Sequence, residues 1–190
     1  MLKKIKGFFP VKFKTYFKKL RKYNAYNELD KKLLKYLNYK NGFYIDCGAN
    51  DGVNQSTTWY FEKYLNWNGI LVEPNSFFWK DLVKNRNTNI FKGAISKKNG
   101  KMEFVECTAP ELSYLSTFNQ KDKWSNIKKT KEIKNIDTLS LKGLLSKFSL
   151  GSSIDYLSLD LEGGELEILK SIDFNEIRIK LITVEHNFTS

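Results

Sequence analysis

The chain has 190 residues, 41% of them hydrophobic and 15% aromatic, which is enough to bury a core and excludes a disordered chain. Its net charge of +11 is confined to residues 1–40, which hold 13 Lys/Arg against only Glu28 and Asp30, while residues 41–190 balance to zero. No apolar run nears the roughly 18 residues of a membrane-spanning helix, and Cys47 and Cys107 lack metal or disulfide-frame spacing, so they read as buried thiols of a cytoplasmic protein.

In chain order, residues 2–23 come first. Leu2, Ile5, Phe9, Phe13, Phe17 and Leu20 recur at spacings of three and four with lysines between, interrupted at Gly7 and Pro10. This basic amphipathic pattern suits either an interfacial segment on an anionic membrane or a helix whose aromatic face docks on the domain. Residues 1–40 are therefore set apart as a basic N-terminal helical segment, and 41–190 as the main domain. Lysine outnumbers arginine throughout, with Arg only at 21, 86 and 178, and lysine number alone does not indicate nucleic acid. No nucleic-acid partner is expected.

"NELDKKLLKYLNY" places Leu29, Leu33, Leu34 and Leu37 on one helical face. "FYIDC" is a short strand, "STTWYFEKYLNW" a helix capped by Ser56, "GILVEP" a buried strand, and "SFFWKDLVKNR" a helix. "NIFKGAIS" reads as one strand and "GKMEFVEC" as a half-exposed strand of period two. Residues 108–132 are polar and aperiodic and read as a surface excursion. "LSLKGLLSKF" is a helix, "SIDYLSLDLE" a strand, "GELEILKSI" a helix and "KLITVEHN" the last strand. Alternation of strand and helix with unbroken apolar strands predicts an α/β, doubly wound, mostly parallel sheet.

In such sheets the ligand lies beyond the carboxyl ends of the strands. "DCGANDG", from Asp46 through Ala49 to Gly52, stands there after the first strand. It lacks the three glycines of a dinucleotide loop, and Asp46 would repel a pyrophosphate. It suits a ligand with cationic groups and no phosphate, such as S-adenosylmethionine, and disfavours a nicotinamide oxidoreductase. Glu73, at the end of the second strand, is placed to accept from adenosine ribose hydroxyls. Gly93, Ala94 and Ile95 offer small or apolar surface for an adenine. In "DLEGGE", Asp160 and Glu162 point the same way at the end of a strand, and Gly163 and Gly164 allow a sharp turn. Near the last strand's end, His186 is the chain's single histidine and suits a general base for a hydroxyl proton. Asp160, Glu185 and Asn187 together offer oxygen ligands for Mg²⁺, an arrangement similar to metal-dependent catechol-type O-methyltransferases.

"FYIDCGANDG", "ILVEPN", "GAISKKNGKMEFVE", "IDTLSLKGLL" and "IDYLSLDLEGGELEILKSIDF" resemble the successive motifs of FkbM-type S-adenosylmethionine-dependent methyltransferases, over residues 43 to about 187. The resemblance implies a class I methyltransferase (Rossmann-like) fold and O-methylation of a sugar or other glycan hydroxyl. It assigns Asp46, Gly48, Asn50 and Gly52 to the cofactor loop, Glu73 and Pro74 to the ribose-binding strand end, Ala94 to the position after the third strand, and Asp160, Glu162 and Gly163 to the acid pair beside the active site. Asp160, Glu185 and His186 are the candidate catalytic residues. Methyltransferases of this class add further strands after the fifth, which this chain lacks before Ser190. Proteins avoid an open sheet edge, so the expectation is either that the chain is a fragment or that the edge is covered by the N-terminal segment or by a second subunit in a homodimer. The competing expectation is a non-catalytic methyltransferase-fold module that binds partners or a membrane surface.

Overall fold

The computed structural model describes residues 21–118 and 128–185. Its strands are β1 (Phe43–Cys47), β2 (Asn68–Val72), β3 (Asn89–Phe91), β4 (Ala94–Ile95), β5 (Gly100–Cys107), β6 (Tyr114–Leu115), β7 (Thr130–Leu139), β8 (Ser153–Leu159) and β9 (Arg178–Val184). Its helices are α1 (Leu29–Leu37), α2 (Trp59–Leu65), α3 (Ser76–Asn85), α4 (Leu141–Lys147) and α5 (Glu165–Ser171). The central sheet has five strands in the order β3-β2-β1-β8-β9, and every pairing in it is parallel. The chain winds outward from β1 to β3 and returns on the other side of β1 as β8. The carboxyl end of β1 is therefore the switch point, as expected for a Rossmann-like methyltransferase fold.

Side chains alternate across β1, so each face of the sheet acquires its own core. Tyr44, Leu71 and Tyr156 face α1, α2 and α3, where Leu33, Leu37, Phe61 and Leu82 are buried. Ile45, Cys47, Val72 and Leu157 face α4 and α5, packing on Leu141, Leu144 and Ile168. Both cysteines are buried and unpaired, as expected. α1 is the packing helix its leucines predict, and Asp30 is buried beneath its start, accepting from Asn24 N at 2.7 Å. Residues 2–20 lie outside the described residues. Among the described residues no helix is long and apolar enough to cross a membrane.

Three sequence expectations need correction. "NIFKGAIS" is not one strand: β3 pairs with β2, whereas β4 joins β7 in a second sheet of order β4-β7-β5-β6. Gly93 makes that transfer where a Cβ would lie 2.4 Å from Asp137 O, so only glycine fits the crossing. The excursion at 108–132 is not a solvated loop as far as Phe118: Leu112, Tyr114, Leu115 and Phe118 are buried, and β6 pairs with β5. From Thr130 the chain is strand again. β7 pairs antiparallel with β5 for most of its ten residues, an element that its charged and polar sequence concealed. Residues 119–127 of the excursion lie outside the described residues. β9 is an edge strand among the described residues, paired with β8 alone.

Candidate functional site

The loop after β1 is shaped by hydrogen bonds that continue the parallel ladder. Gly48 N and Ala49 N both donate to Val72 O, Asp160 N donates to Cys47 O, and Glu185 N donates to Leu159 O. Gly48, Asp160 and Glu185 thereby sit side by side at the ends of β1, β8 and β9. Gly48 has φ +88, and a Cβ on it would stand 2.2 Å from Asp160 O. The glycine is required by this close approach as well as by its left-handed backbone.

Glu73 ends β2 and is buried. One carboxylate oxygen accepts from Asn75 N and the other from Asn50 N, each at 2.7 Å. Burial pushes its pKa up to about 7, with the two backbone N–H groups pulling against that rise. Glu73 lines a narrow cleft together with Gly48, Asn50, Pro74, Ala94 and Asp160. Its roof is the 108–118 segment, anchored by Asn75, whose amide donates to Pro110 O and to Ser113 Oγ. Gly163 and Gly164 admit Phe118 to this roof. A Cβ on Gly164 would meet the Phe118 ring at 2.3 Å.

A second cleft opens on the other side of the Gly48–Asn50 loop. It is lined by Asp46, Ala49, Ser56, Thr57, Ser158, Asp160, Thr183 and Glu185, and Tyr26 stands at its rim. Gly48, Asn50 and Asp160 line both clefts. Asp46 is buried on the α2 side and accepts from Thr58 Oγ1 at 2.6 Å. Its carboxyl is raised by burial, and Thr58 and the nearby Arg86 oppose the rise. Gly52 is not among the residues that line these two clefts. It backs onto Arg86, whose Nη1 donates to Gly52 O at 3.0 Å.

Between the clefts, Asp160, Glu162 and Glu185 bring carboxylate oxygens within 4.8 Å of one another. Part of Asp160 reaches solvent at the cleft mouth, yet its carboxyl is raised well above the usual range by removal from water within this cluster and then by Glu185, Glu162 and Glu165. Glu162 pairs with Lys128 at 2.9 Å, both side chains nearly buried. Glu165 holds the turn by accepting from Leu161 N and Gly163 N. The structure thus unites Asp160, Glu162 and Glu185, while His186 and Asn187 lie outside the described residues.

A family model described as the methyltransferase FkbM domain matches residues 46–190. The chain belongs to the FkbM methyltransferase family. No curated protein and no solved structure matches it. The match starts at Asp46, so it covers the glycine loop, Glu73, Ala94 and the acid cluster, and leaves α1 and the preceding basic segment outside the family domain.

Two groups in this FkbM domain escape sequence reasoning. Arg86 is buried behind the glycine loop and donates to Glu62, Gly52 O, Ser56, Tyr44 and Thr58. The signal available was its rarity: one of three arginines in a chain of lysines, at the C-cap of α3. Lys128 carried no signal, because it is one of several lysines in an aperiodic stretch.

Proposed function

We propose that this methyltransferase takes its methyl group from S-adenosylmethionine and transfers it to a hydroxyl of a sugar or glycan. The observation that carries the reading is that Gly48, Asn50 and Asp160 line both clefts, one holding Glu73 and the other walled by hydroxyl and carboxylate groups. A ligand seated along Glu73 would meet an acceptor in the second cleft beside Asp160.

The donor set fits the cofactor. Each Glu73 oxygen accepts one backbone N–H and so retains a lone pair for a ribose hydroxyl. Ala94 and Ile95 supply a small apolar wall suited to an adenine. S-adenosylmethionine, when bound, supplies an already activated methyl group on a cationic sulfonium. The chain's task is then to orient the acceptor and take one proton. Asp160 and Glu185 are close enough to share a proton, and the ionised pair can accept one from an acceptor hydroxyl. Ser56, Thr57, Ser158 and Thr183 can bond the remaining hydroxyls of a polyhydroxylated acceptor. A Mg²⁺ ion would be held by Asp160, Glu162 and Glu185, whose hard oxygen ligands suit it. Lys128 already supplies positive charge beside Glu162.

Calorimetric titration with S-adenosylhomocysteine tests the cofactor, and no heat of binding to the wild type would sink the reading. Transfer of labelled methyl to a panel of sugars tests the acceptor. Binding without transfer to any hydroxyl would favour the non-catalytic module instead.

A further inference from the structure

The charge of this protein is divided between two regions. Residues 1–40 carry the whole excess of +11, and the remainder is neutral. The core explains only one side of α1: Leu33 and Leu37 are buried, whereas Lys31, Lys32, Lys35 and Tyr36 all face solvent. Tyr36 is 58% exposed and Tyr26 71%, although the domain has buried positions for many other aromatics. The sequence before residue 21 continues the same chemistry, with Phe9, Phe13 and Phe17 set among lysines. Aromatic rings interleaved with lysine match the interface of a lipid layer, where rings enter the headgroup region and ammonium groups meet anionic lipids. Nucleic acid is the poorer fit, since only Arg21 in this region offers a bidentate guanidinium.

The described chain also shows where such a surface would lie. Ala25 forms a bridge with Gln55, and Tyr26 and Leu29 line the second cleft together with Asp160 and Glu185. The basic segment therefore joins the domain at the mouth of that cleft. We infer that the exposed Lys31–Lys32–Lys35 face of α1 docks the protein on an anionic lipid surface. Given the methyl-transfer reading above, the acceptor would be a hydroxylated group displayed at that surface. The docking itself stands without that reading.

The test uses the full chain and sedimentation with phosphatidylcholine vesicles, with and without phosphatidylglycerol. Binding is expected only to the anionic vesicles and should fall as salt rises. Each lysine near such a surface strengthens binding roughly fivefold, so Lys31→Gln, Lys32→Gln and Lys35→Gln combined should weaken it on the order of a hundredfold. These exposed positions should leave the thermal midpoint and the heat of S-adenosylhomocysteine binding unchanged. Absence of vesicle binding, binding indifferent to phosphatidylglycerol, or a triple variant that binds like wild type would each overturn the proposal. Retention on duplex DNA that exceeds vesicle binding at the same salt would overturn it in favour of a nucleic-acid partner. Vesicle binding does not depend on cofactor titration, so its failure is distinguishable from a failure of the methyl-transfer reading.

Discussion

Gly48→Ala is the sharpest test of how the loop is built. The new Cβ would lie 2.2 Å from Asp160 O, a backbone atom that cannot rotate away. The ends of β1 and β8 must separate by roughly 1 Å to restore ordinary contact. That movement strains the bond from Asp160 N to Cys47 O and the bond from Gly48 N to Val72 O, which are 3.1 and 3.0 Å long. A left-handed backbone costs a non-glycine residue about 1–2 kcal/mol, and overpacking costs about 1–3 kcal/mol. Together they predict a loss of about 2–5 kcal/mol, or a midpoint lower by about 5–15 °C for a domain of this size. The same displacement moves the Gly48–Asn50 loop that lines the cleft with Glu73, so S-adenosylhomocysteine affinity should fall as well. Urea denaturation and calorimetric titration measure the two effects. Gly100→Ala is the control, because nothing lies within 4 Å of its Cβ position. A Gly48→Ala protein within about 0.5 kcal/mol of wild type, with unchanged affinity, would refute the reasoning.

Arg86→Met removes the donor to Glu62, Gly52 O, Ser56, Tyr44 and Thr58 and should cost about 3–5 kcal/mol in urea denaturation, with Arg86→Lys recovering only part because an ammonium cannot span the fork. Glu73 has its folded pKa raised from 4.5 to about 7, so between those values the folded state binds more protons than the unfolded. Unfolding free energy contributed by this group should therefore fall as pH rises through that window, by on the order of 3 kcal/mol in full. Glu73→Gln should flatten that slope and weaken S-adenosylhomocysteine binding; a pH–stability curve that keeps its slope would contradict the assignment. Asp160→Asn should spare cofactor binding while lowering turnover. Because the Asp160 carboxyl is raised and acts ionised, the wild-type rate should climb with pH, and Glu185→Gln should shift that limb toward lower pH by removing the neighbouring negative charge.

The parallel sheet was legible because strands buried on both faces must be almost wholly apolar, as in "GILV" and "YLSL". Its ligand-bearing ends were legible because each apolar run stops abruptly at an acid or a glycine: Asp46 and Gly48, Glu73, Asp160. β7 was not. It lies on the second sheet with one side open to water, so "TKEIKNIDTL" carries charges where a buried strand would carry valines. The roof was missed for the same kind of reason. Leu112, Tyr114, Leu115 and Phe118 follow neither helical nor strand periodicity; Tyr114 and Leu115 become core by packing on β5, and Phe118 because the glycine pair at 163–164 leaves it room.

By itself the sequence determined the order of the central-sheet elements and the chemical types gathered at their strand ends, since both follow from local periodicity and from where apolar runs break. It also determined the uneven charge, which needs no fold to be counted. Only the tertiary structure decided what those groups do to one another. Asp46 looks inward to Thr58 and near Arg86, Glu73 holds Asn50 and Asn75 in place, and Asp160 meets Glu185 from a strand that begins 25 residues later than the one before it. Such encounters depend on strand register and on burial, and a carboxylate's pKa and partners are set by neighbours that the linear chain keeps far apart.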